Sequence, residues 1–301
     1  MKNLNTYLNE SILDDEDVLL DPERDKEIIK SWIEDNYKIK GHLKINDDHT
    51  VDCSGDVDVK NKNITSLTNG MFSWGKVDGN FYCAYCKNLK SLEGGPKHVN
   101  SRFNCSHCNN LTSLEGTPEV VGRHFYCFEC NNLKSLEGAT EKVGEDFDCS
   151  YCENLTSLEG APKSIYGNFG CYGCDNLTSL KGSPEKVDNG FYCYECKNLR
   201  SLEGAPKVVG GNFSCNYCKN LKSLKGAPEK IGRCFYCTKC EKLTSLEGAP
   251  EEVNDDFDCS WCENLRSLEG VSKKINGYLW CKDCKNLKLT DSDLKKYKIE
   301  S

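Results

Sequence analysis

Residues 103–121 read FNCSHCNNLTSLEGTPEVV, and this stretch decides the fold because its frame returns every 22 residues without interruption. The frame is F-x-C-x-x-C-x-N-L-x-S-L-x-G-x-P-x-x-V, and its ten copies open at Phe81, Phe103, Phe125, Phe147, Phe169, Phe191, Phe213, Phe235, Phe257 and Leu279. A fixed period of about 20–50 residues is typical of a solenoid, in which each unit buries its apolar face only against its neighbours. The repeat therefore excludes most other folds and favours a binding surface over a catalytic pocket.

The apolar spacing within each unit resembles that of the leucine-rich repeat family. A degenerate first turn has the spacing L-x-L-x-x-N-x-L-x-x-L, at Val57, Val59, Lys62, Ile64 and Leu67. Later turns match the cysteine variant L-x-L-x-x-C-x-x-L, as at Phe125, Cys127, Cys130, Leu133 and Leu136. The resemblance covers about residues 57–289. It implies a mainly β, right-handed solenoid of about ten to eleven turns, with a parallel sheet along one face. Glycine and proline predict turns or short extended pieces on the other face.

We expect four segments along the chain. An acidic helical arm covers residues 1–40, and a cap with the degenerate first repeat covers 41–76. The ten repeats cover residues 77–289, and a C-terminal cap covers 290–301. Solenoids need such caps because their terminal turns would otherwise expose the core.

Local signals predict the elements of these caps. Asp21 and Pro22 are a helix start, and an apolar stripe continues the helix to about Asn36. A hairpin is expected around the turn at 46–48. A short helix is expected at 291–297, with Leu294 facing the core.

Charge is concentrated at the N-terminus. Residues 1–60 contain 16 acidic and 8 basic residues, a net charge of −8, which equals the net charge of the whole chain. The repeats are therefore neutral overall, which disfavours non-specific binding to nucleic acid or to an anionic membrane. Mean hydropathy is −0.62, and the start of the sequence lacks the apolar core of a signal peptide.

The N-terminal opening joined to cysteine-rich repeats resembles uncharacterised repeat proteins of gut tailed phages. This resemblance implies an origin and no activity. Together with the missing signal peptide, it leads us to expect a protein of the bacterial host cytoplasm, or one associated with the virion.

Twenty of the 22 cysteines lie in the CxxC pairs, and three interpretations remain open. The pairs align with buried positions of the turn, so the thiols would act as small apolar side chains. Adjacent turns would also bring four sulfurs together for zinc, although a closed Cys₄ site predicts a 44-residue alternation that the uniform frame lacks. Disulfides between turns are geometrically allowed but disfavoured in a reducing compartment. We expect no metal and no cofactor.

Candidate binding residues occupy the position before the first cysteine and the two positions between the cysteines. Of these 30 positions, 12 are aromatic, and we call them the aromatic face: Tyr82, Tyr85, Tyr126, Phe128, Tyr151, Tyr172, Tyr192, Tyr194, Tyr217, Tyr236, Trp261 and Trp280. Five acids share these positions, at Glu129, Asp148, Glu195, Asp258 and Asp283, against two lysines. Aromatic residues are enriched in protein interfaces, but they also stabilise a sheet by packing on each other. The pattern does not separate these two roles.

Catalytic signatures are missing from the sequence. The five histidines match neither a Ser/His/Asp spacing nor HExxH, and no phosphate-binding loop occurs. The function we predict is a non-catalytic scaffold that binds a protein of a phage or its bacterial host. A structural or packaged virion component and a zinc–thiolate protein are the alternatives.

Overall fold

The computed structural model of this chain describes residues 22–300, so the predicted N-cap at Asp21 and the rest of the arm before it lie outside the described residues. Helix α1 is Pro22–Asn36, as predicted, and helix α2 is Asp291–Lys296. Neither helix is long and apolar enough to cross a membrane. Between the two helices the described chain winds through β-strands and turns.

Twenty-five short strands form two sheets. The first sheet contains, in spatial order, β1 (Tyr37–Lys40), β4 (Asp56–Val59), β6 (Phe81–Tyr82), β8 (Phe103–Asn104), β10 (Phe125–Tyr126), β12 (Phe147–Asp148), β14 (Phe169–Gly170), β16 (Phe191–Tyr192), β18 (Phe213–Ser214), β20 (Phe235–Tyr236), β22 (Phe257–Asp258), β24 (Leu279–Trp280) and β25 (Ile299–Glu300). The second contains β2 (Leu43–Ile45), β3 (Thr50–Cys53), β5 (Ser73–Val77), β7 (His98–Val99), β9 (Val120–Val121), β11 (Lys142–Val143), β13 (Ser164–Ile165), β15 (Lys186–Val187), β17 (Val208–Val209), β19 (Lys230–Ile231), β21 (Glu252–Val253) and β23 (Lys274–Ile275).

Both sheets are parallel through the repeats, and their register equals the sequence period. Phe125 pairs with Phe103 on one side and Phe147 on the other, 22 residues away in each direction. Equivalent residues of successive turns therefore stack at the strand spacing of about 4.8 Å. The predicted solenoid with a small N-terminal helix is confirmed, with about eleven turns.

The core is a set of ladders running along the solenoid. Phenylalanine rings of successive turns stack with centroids 4.8–5.7 Å apart, and each ring is fully buried. Burying one such side chain contributes about 1.5–3 kcal/mol. Glycine closes each turn where no side chain fits. At Gly116 (φ +89°), a Cβ would lie 2.4 Å from the backbone of Leu92.

The N-terminal cap closes the first turn with aromatic side chains. Ile29 and Ile33 of α1 are fully buried, and β1 pairs antiparallel with β4. The Tyr37 ring packs edge-on against Trp74 at 5.1 Å. The predicted hairpin is confirmed as the antiparallel pair β2–β3. The division of the N-terminus at residue 40 stays a prediction.

The C-terminal cap consists of α2 and strand β25. Thr290 and Asp293 form a capping box at the start of α2, and β25 pairs with β24. The expectation that Leu294 faces the core is wrong, because its side chain is 58% exposed. A six-residue helix held by its capping box and by the following strand does not need an apolar anchor at that position.

Candidate functional site

Three positions of each unit lie around the end of the strand in the first sheet. We name the residue before the first cysteine the strand position, and the two residues between the cysteines the first and second turn positions. In the unit that opens at Phe147, they are Asp148, Ser150 and Tyr151. The strand position is the second residue of its strand, and the other two form a turn beyond it.

The second turn position has a left-handed backbone in all ten units, from Tyr85 to Asp283, with φ between +54° and +66°. Residues with Cβ branching are strained there, and none occupies this position. Sequence reasoning missed this conformation, although the consistent absence of Val, Ile and Thr was a usable signal.

Backbone hydrogen bonds continue the ladder through these turns. The Tyr151 N–H donates to the Tyr172 carbonyl at 2.8 Å, and the Lys239 N–H donates to the Ser260 carbonyl at 3.0 Å. Each turn is thereby held against the next at strand spacing. Side chains at the same position of successive turns consequently become neighbours on the surface.

The cysteines form hydrogen bonds inside the solenoid that the sequence did not indicate. From Cys108 to Cys284, each second cysteine donates its S–H to the carbonyl of the first cysteine in the preceding turn, at 3.1–3.3 Å. No backbone N–H of residues 22–300 donates to those carbonyls. The second thiol therefore satisfies an inward carbonyl that would otherwise be buried without a partner.

All 22 cysteines are unpaired thiols, and only Cys234 is partly exposed. Burial raises the pKa of thiols such as Cys149 and Cys174 well above the ordinary value. Metal ligation needs the thiolate form. Across residues 22–300, no group of three or more His, Cys, Asp or Glu side chains is arranged to hold a metal ion.

The first aromatic cluster lies in the N-terminal units. Tyr85 stacks on His107 with 4.2 Å between ring centroids, and Phe128 packs edge-on against His107 at 5.1 Å. The Arg102 guanidinium lies over the Tyr126 ring at 5.3 Å. Neither His107 nor Arg102 was among the predicted site residues, because their contribution depends on contacts between turns.

The second cluster consists of three tyrosines from three successive turns. Tyr151 meets Tyr172 edge-on at 5.2 Å, and Tyr172 stacks on Tyr194 at 4.4 Å. Burial, followed by the neighbouring Tyr172 and Tyr151, raises the pKa of Tyr194. Tyr151 remains 42% exposed, so the cluster keeps a surface accessible to a partner.

The third cluster contains a lysine between two aromatic rings. The Lys239 ammonium lies 5.0 Å from the Tyr217 ring centroid and 5.6 Å from that of Trp261. All three residues occupy the second turn position of consecutive units. The chain thus places one of its own cations in the aromatic column.

The remaining members of the aromatic face lie at strand positions and do not join these clusters: Tyr82, Tyr192, Tyr236 and Trp280. Trp280 packs against Tyr278 at 5.9 Å and donates its indole N–H to Asp256 at 3.1 Å. The first three are half-buried, so this part of the face is less exposed than the turn positions.

Many charged residues outside the aromatic face form ion pairs between adjacent turns. Lys181–Glu203 (3.3 Å) and Lys285–Glu263 (2.7 Å) are examples of many pairs that join residues 22 apart. On the face itself, Glu129 meets His107 at 3.1 Å. Within residues 22–300, the other four acids at these positions form no ion pair: Asp148, Glu195, Asp258 and Asp283. Most acids of the face therefore lie near aromatic rings without a countercharge.

Comparison with known proteins gives one similarity of fold. No protein-family model matches the chain, and no curated protein matches it. A solved leucine-rich repeat protein from Bacteroides ovatus is similar over 84% of this chain and 92% of its own, with 15% sequence identity and a TM-score of 0.27. What the aromatic face can bind therefore rests on the side chains described above.

Proposed function

We propose that this chain is a non-catalytic repeat scaffold that binds a protein partner through its aromatic face. The carrying observation is the combination, along one edge, of exposed aromatic rings with acids that have no cationic partner. Tyr, Trp and Arg anchors dominate the binding energy of protein interfaces. Elsewhere on the repeats, exposed ion pairs between adjacent turns, such as Lys181–Glu203, contribute little energy.

The reactive side chains support a non-catalytic role. All cysteines except Cys234 are buried, and burial raises the pKa of thiols such as Cys149 well above the ordinary value, which makes them poor nucleophiles. His107 is stacked against Tyr85, while His124 lies between two carboxylates, 2.9 Å from Glu145 and 3.1 Å from Asp146. Neither histidine is placed beside a nucleophilic hydroxyl or an exposed thiol.

The partner and location follow from the resemblance to phage proteins. We expect a partner from a tailed phage or its bacterial host, and the unpaired thiols suit a reducing cytoplasm. The virion alternative predicts the chain in purified particles as well as in infected-cell lysate. The zinc alternative predicts stoichiometric zinc by emission spectrometry. The hydrogen-bonded thiols argue against it.

The test replaces Tyr172, Tyr192 and Tyr194 together with serine. A partner captured from host lysate and identified by mass spectrometry is then titrated against both proteins. We expect affinity to fall by about 30-fold or more, since loss of one hot-spot aromatic residue costs about 2 kcal/mol or more. The matched control replaces Val208, which is exposed on the second sheet, and Tyr166, which is exposed just after strand β13 of that sheet, with serine.

Thermal unfolding of each variant shows whether the fold is retained. Equal affinity of the folded triple variant and the parent would assign the tyrosines to sheet packing and refute the proposal. An equal loss in the control variant would refute the choice of face.

A further inference from the structure

Two units of the solenoid carry nearly the same turn. Residues 147–155 read FDCSYCENL and residues 257–265 read FDCSWCENL. In both, the aspartate at the strand position accepts a backbone hydrogen bond from the serine two residues later, Ser150 or Ser260, at 2.9 Å. The two turns therefore present an acid and an aromatic ring in equivalent local geometry.

The second copy is occupied by the chain's own cation. The Lys239 ammonium lies over Trp261 at 5.6 Å, as well as over Tyr217, and it comes from the turn before. A further lysine, Lys282, follows in the next turn, where its backbone N–H donates to the Ser260 hydroxyl at 3.2 Å. In this copy the Lys239 ammonium lies against the two aromatic rings, and no ion pair joins it to Asp258 within the described residues.

The first copy has no such cation. The residue equivalent to Lys239 is Glu129, and the residue equivalent to Lys282 is Tyr172. The turn after Tyr151 has Gly173 at the second turn position. A Cβ on Gly173 would lie 2.4 Å from the Tyr151 ring, so that ring covers the glycine and meets Tyr172.

Asp148 lies beside this tyrosine cluster. Its carboxylate lies over Gly170 of the next turn, since a Cβ built on Gly170 would be 3.0 Å from Oδ1 of Asp148. The same carboxylate raises the pKa of Tyr172, after the larger effect of burial. Burial raises the pKa of Asp148 itself, and no Lys or Arg of residues 22–300 forms an ion pair with it. A partly buried carboxylate is thereby left without the countercharge that would stabilise its ionised form.

The charge of the whole region complements a cation. Between residues 82 and 217, the strand and turn positions contain nine aromatic residues and three acids, and no Lys or Arg. Residues 1–21 carry six acids and one lysine, so their net charge does not complement this region. We therefore expect the cation to come from another molecule.

We propose that Asp148 together with Tyr151, Tyr172 and Tyr194 forms a recognition site for an arginine side chain of the protein partner. This inference rests on the proposed function and names the chemistry that the aromatic face selects. A guanidinium stacks on tyrosine faces and donates to a carboxylate at the same time, which an ammonium does less well. The site would resemble the Lys239 cluster, except that the partner would supply the cation.

The test uses acetylated tetra-arginine amide as the probe, with tetra-citrulline as its uncharged isostere and tetra-lysine as a second cation. Binding is measured by fluorescence anisotropy of labelled peptides. We expect tetra-arginine to bind at least about tenfold more tightly than tetra-citrulline and more tightly than tetra-lysine. Equal affinity for arginine and citrulline peptides would overturn the inference.

Two variants locate the site. Asp148→Asn should weaken tetra-arginine binding about tenfold, while the matched control Asp258→Asn should change it less than about twofold. Equal losses in Asp148→Asn and Asp258→Asn would indicate a general acidic field and overturn the proposed site.

The pH dependence provides a further readout. Because Asp148 binds the cation only when ionised, affinity should fall as the pH is lowered through its raised pKa, and this dependence should disappear in Asp148→Asn. The two proposals can fail separately. If the tyrosine triple variant loses its partner but Asp148→Asn keeps the preference for arginine peptides, this inference is refuted and the proposed function stands. Arginine selectivity at Asp148 with unchanged partner binding by the triple variant would refute the proposed function instead.

Discussion

Alkaline pH should unfold this solenoid while many proteins of its size remain folded. The reason is the buried thiol ladder, in which burial raises the pKa of Cys196 to about 12 and that of Cys281 to about 11. An exposed thiol in the unfolded chain ionises near pH 8.5. A group whose pKa is higher in the folded state stabilises the fold fully below the unfolded pKa. That contribution is lost as the pH rises through the folded value.

The magnitude follows from the number of thiols that share this environment. At pH 9.5, one unit above the unfolded pKa, each thiol that stays protonated only in the folded state costs about 1.4 kcal/mol of stability. Buried thiols with a raised pKa include Cys83, Cys105, Cys127, Cys149, Cys152, Cys171, Cys174, Cys193, Cys215, Cys218, Cys237 and Cys259. Ten such thiols remove about 14 kcal/mol, which is comparable to the whole stability of a typical domain.

The assay measures urea unfolding by circular dichroism at pH 7, 8.5 and 9.5 with reductant present. We expect a loss of about 0.4 kcal/mol per thiol at pH 8.5, or about 4 kcal/mol for ten thiols, and a loss of about 14 kcal/mol by pH 9.5. Most of the thiolate absorbance in the ultraviolet should appear as the dichroism of the fold is lost. A matched variant that replaces Cys174 and Cys218 with alanine should be less stable at pH 7. Its stability should also depend less steeply on pH, by about 1.4 kcal/mol per pH unit for each thiol removed.

Two results would refute this reasoning. The first is thiolate absorbance that rises with a midpoint near pH 8.5 while the dichroism of the fold stays constant, since the thiols would then be accessible to solvent. The second is a variant whose stability depends on pH as steeply as that of the parent.

Other substitutions separate the roles that the structure assigns to individual residues. Cys196→Ala should lower the free energy of unfolding by about 1–3 kcal/mol and Cys196→Ser by less, because only serine keeps a donor for the Cys171 carbonyl. The Cys171 thiol donates to no neighbouring turn, so in urea unfolding Cys171→Ser should be less stable than Cys171→Ala. If the serine variant were the more stable one at both sites, the hydrogen-bond assignment would be contradicted. Thr140→Pro should raise stability by about 1 kcal/mol, because the buried hydroxyl has no partner within the described residues and seven other units have proline there. A lowered thermal midpoint would count against it. Deleting residues 1–20 should change stability by less than about 1 kcal/mol, whereas deleting residues 1–40 should cause aggregation in light scattering, since it removes buried residues of α1 and the strand β1. Insolubility of the shorter deletion would place the arm within the cap.

Most of the architecture could be predicted from the order of residues alone. A period of 22 that keeps Phe, Cys and Leu at fixed positions can bury them only if each turn repeats the one before it. The ladder that contains Phe125 and Phe147 follows directly. The helix over 22–36 could also be predicted, because its capping residues and its apolar stripe are local sequence signals.

The candidate site was predictable in its membership but not in its arrangement. The sequence shows that aromatic residues concentrate at three positions of each unit. The stacking of Tyr172 on Tyr194 and the position of Lys239 over Trp261 depend instead on contacts between residues 22 positions apart. The exposure of side chains also differs within the aromatic face, since Tyr151 is exposed and Tyr192 is half-buried.

The sequence by itself determined the period, the inward positions of the repeats and the helix over 22–36, because these follow from local propensity and from the burial of apolar side chains. Only the tertiary structure decided what the thiols do, since a donor such as Cys196 meets its carbonyl acceptor only when one turn is stacked on another. It likewise decided that Asp148 has no countercharge while an equivalent turn has Lys239 nearby. Hydrogen bonds and electrostatic contacts between turns depend on distances of a few ångströms, and residues of different turns reach those distances only when the turns are stacked.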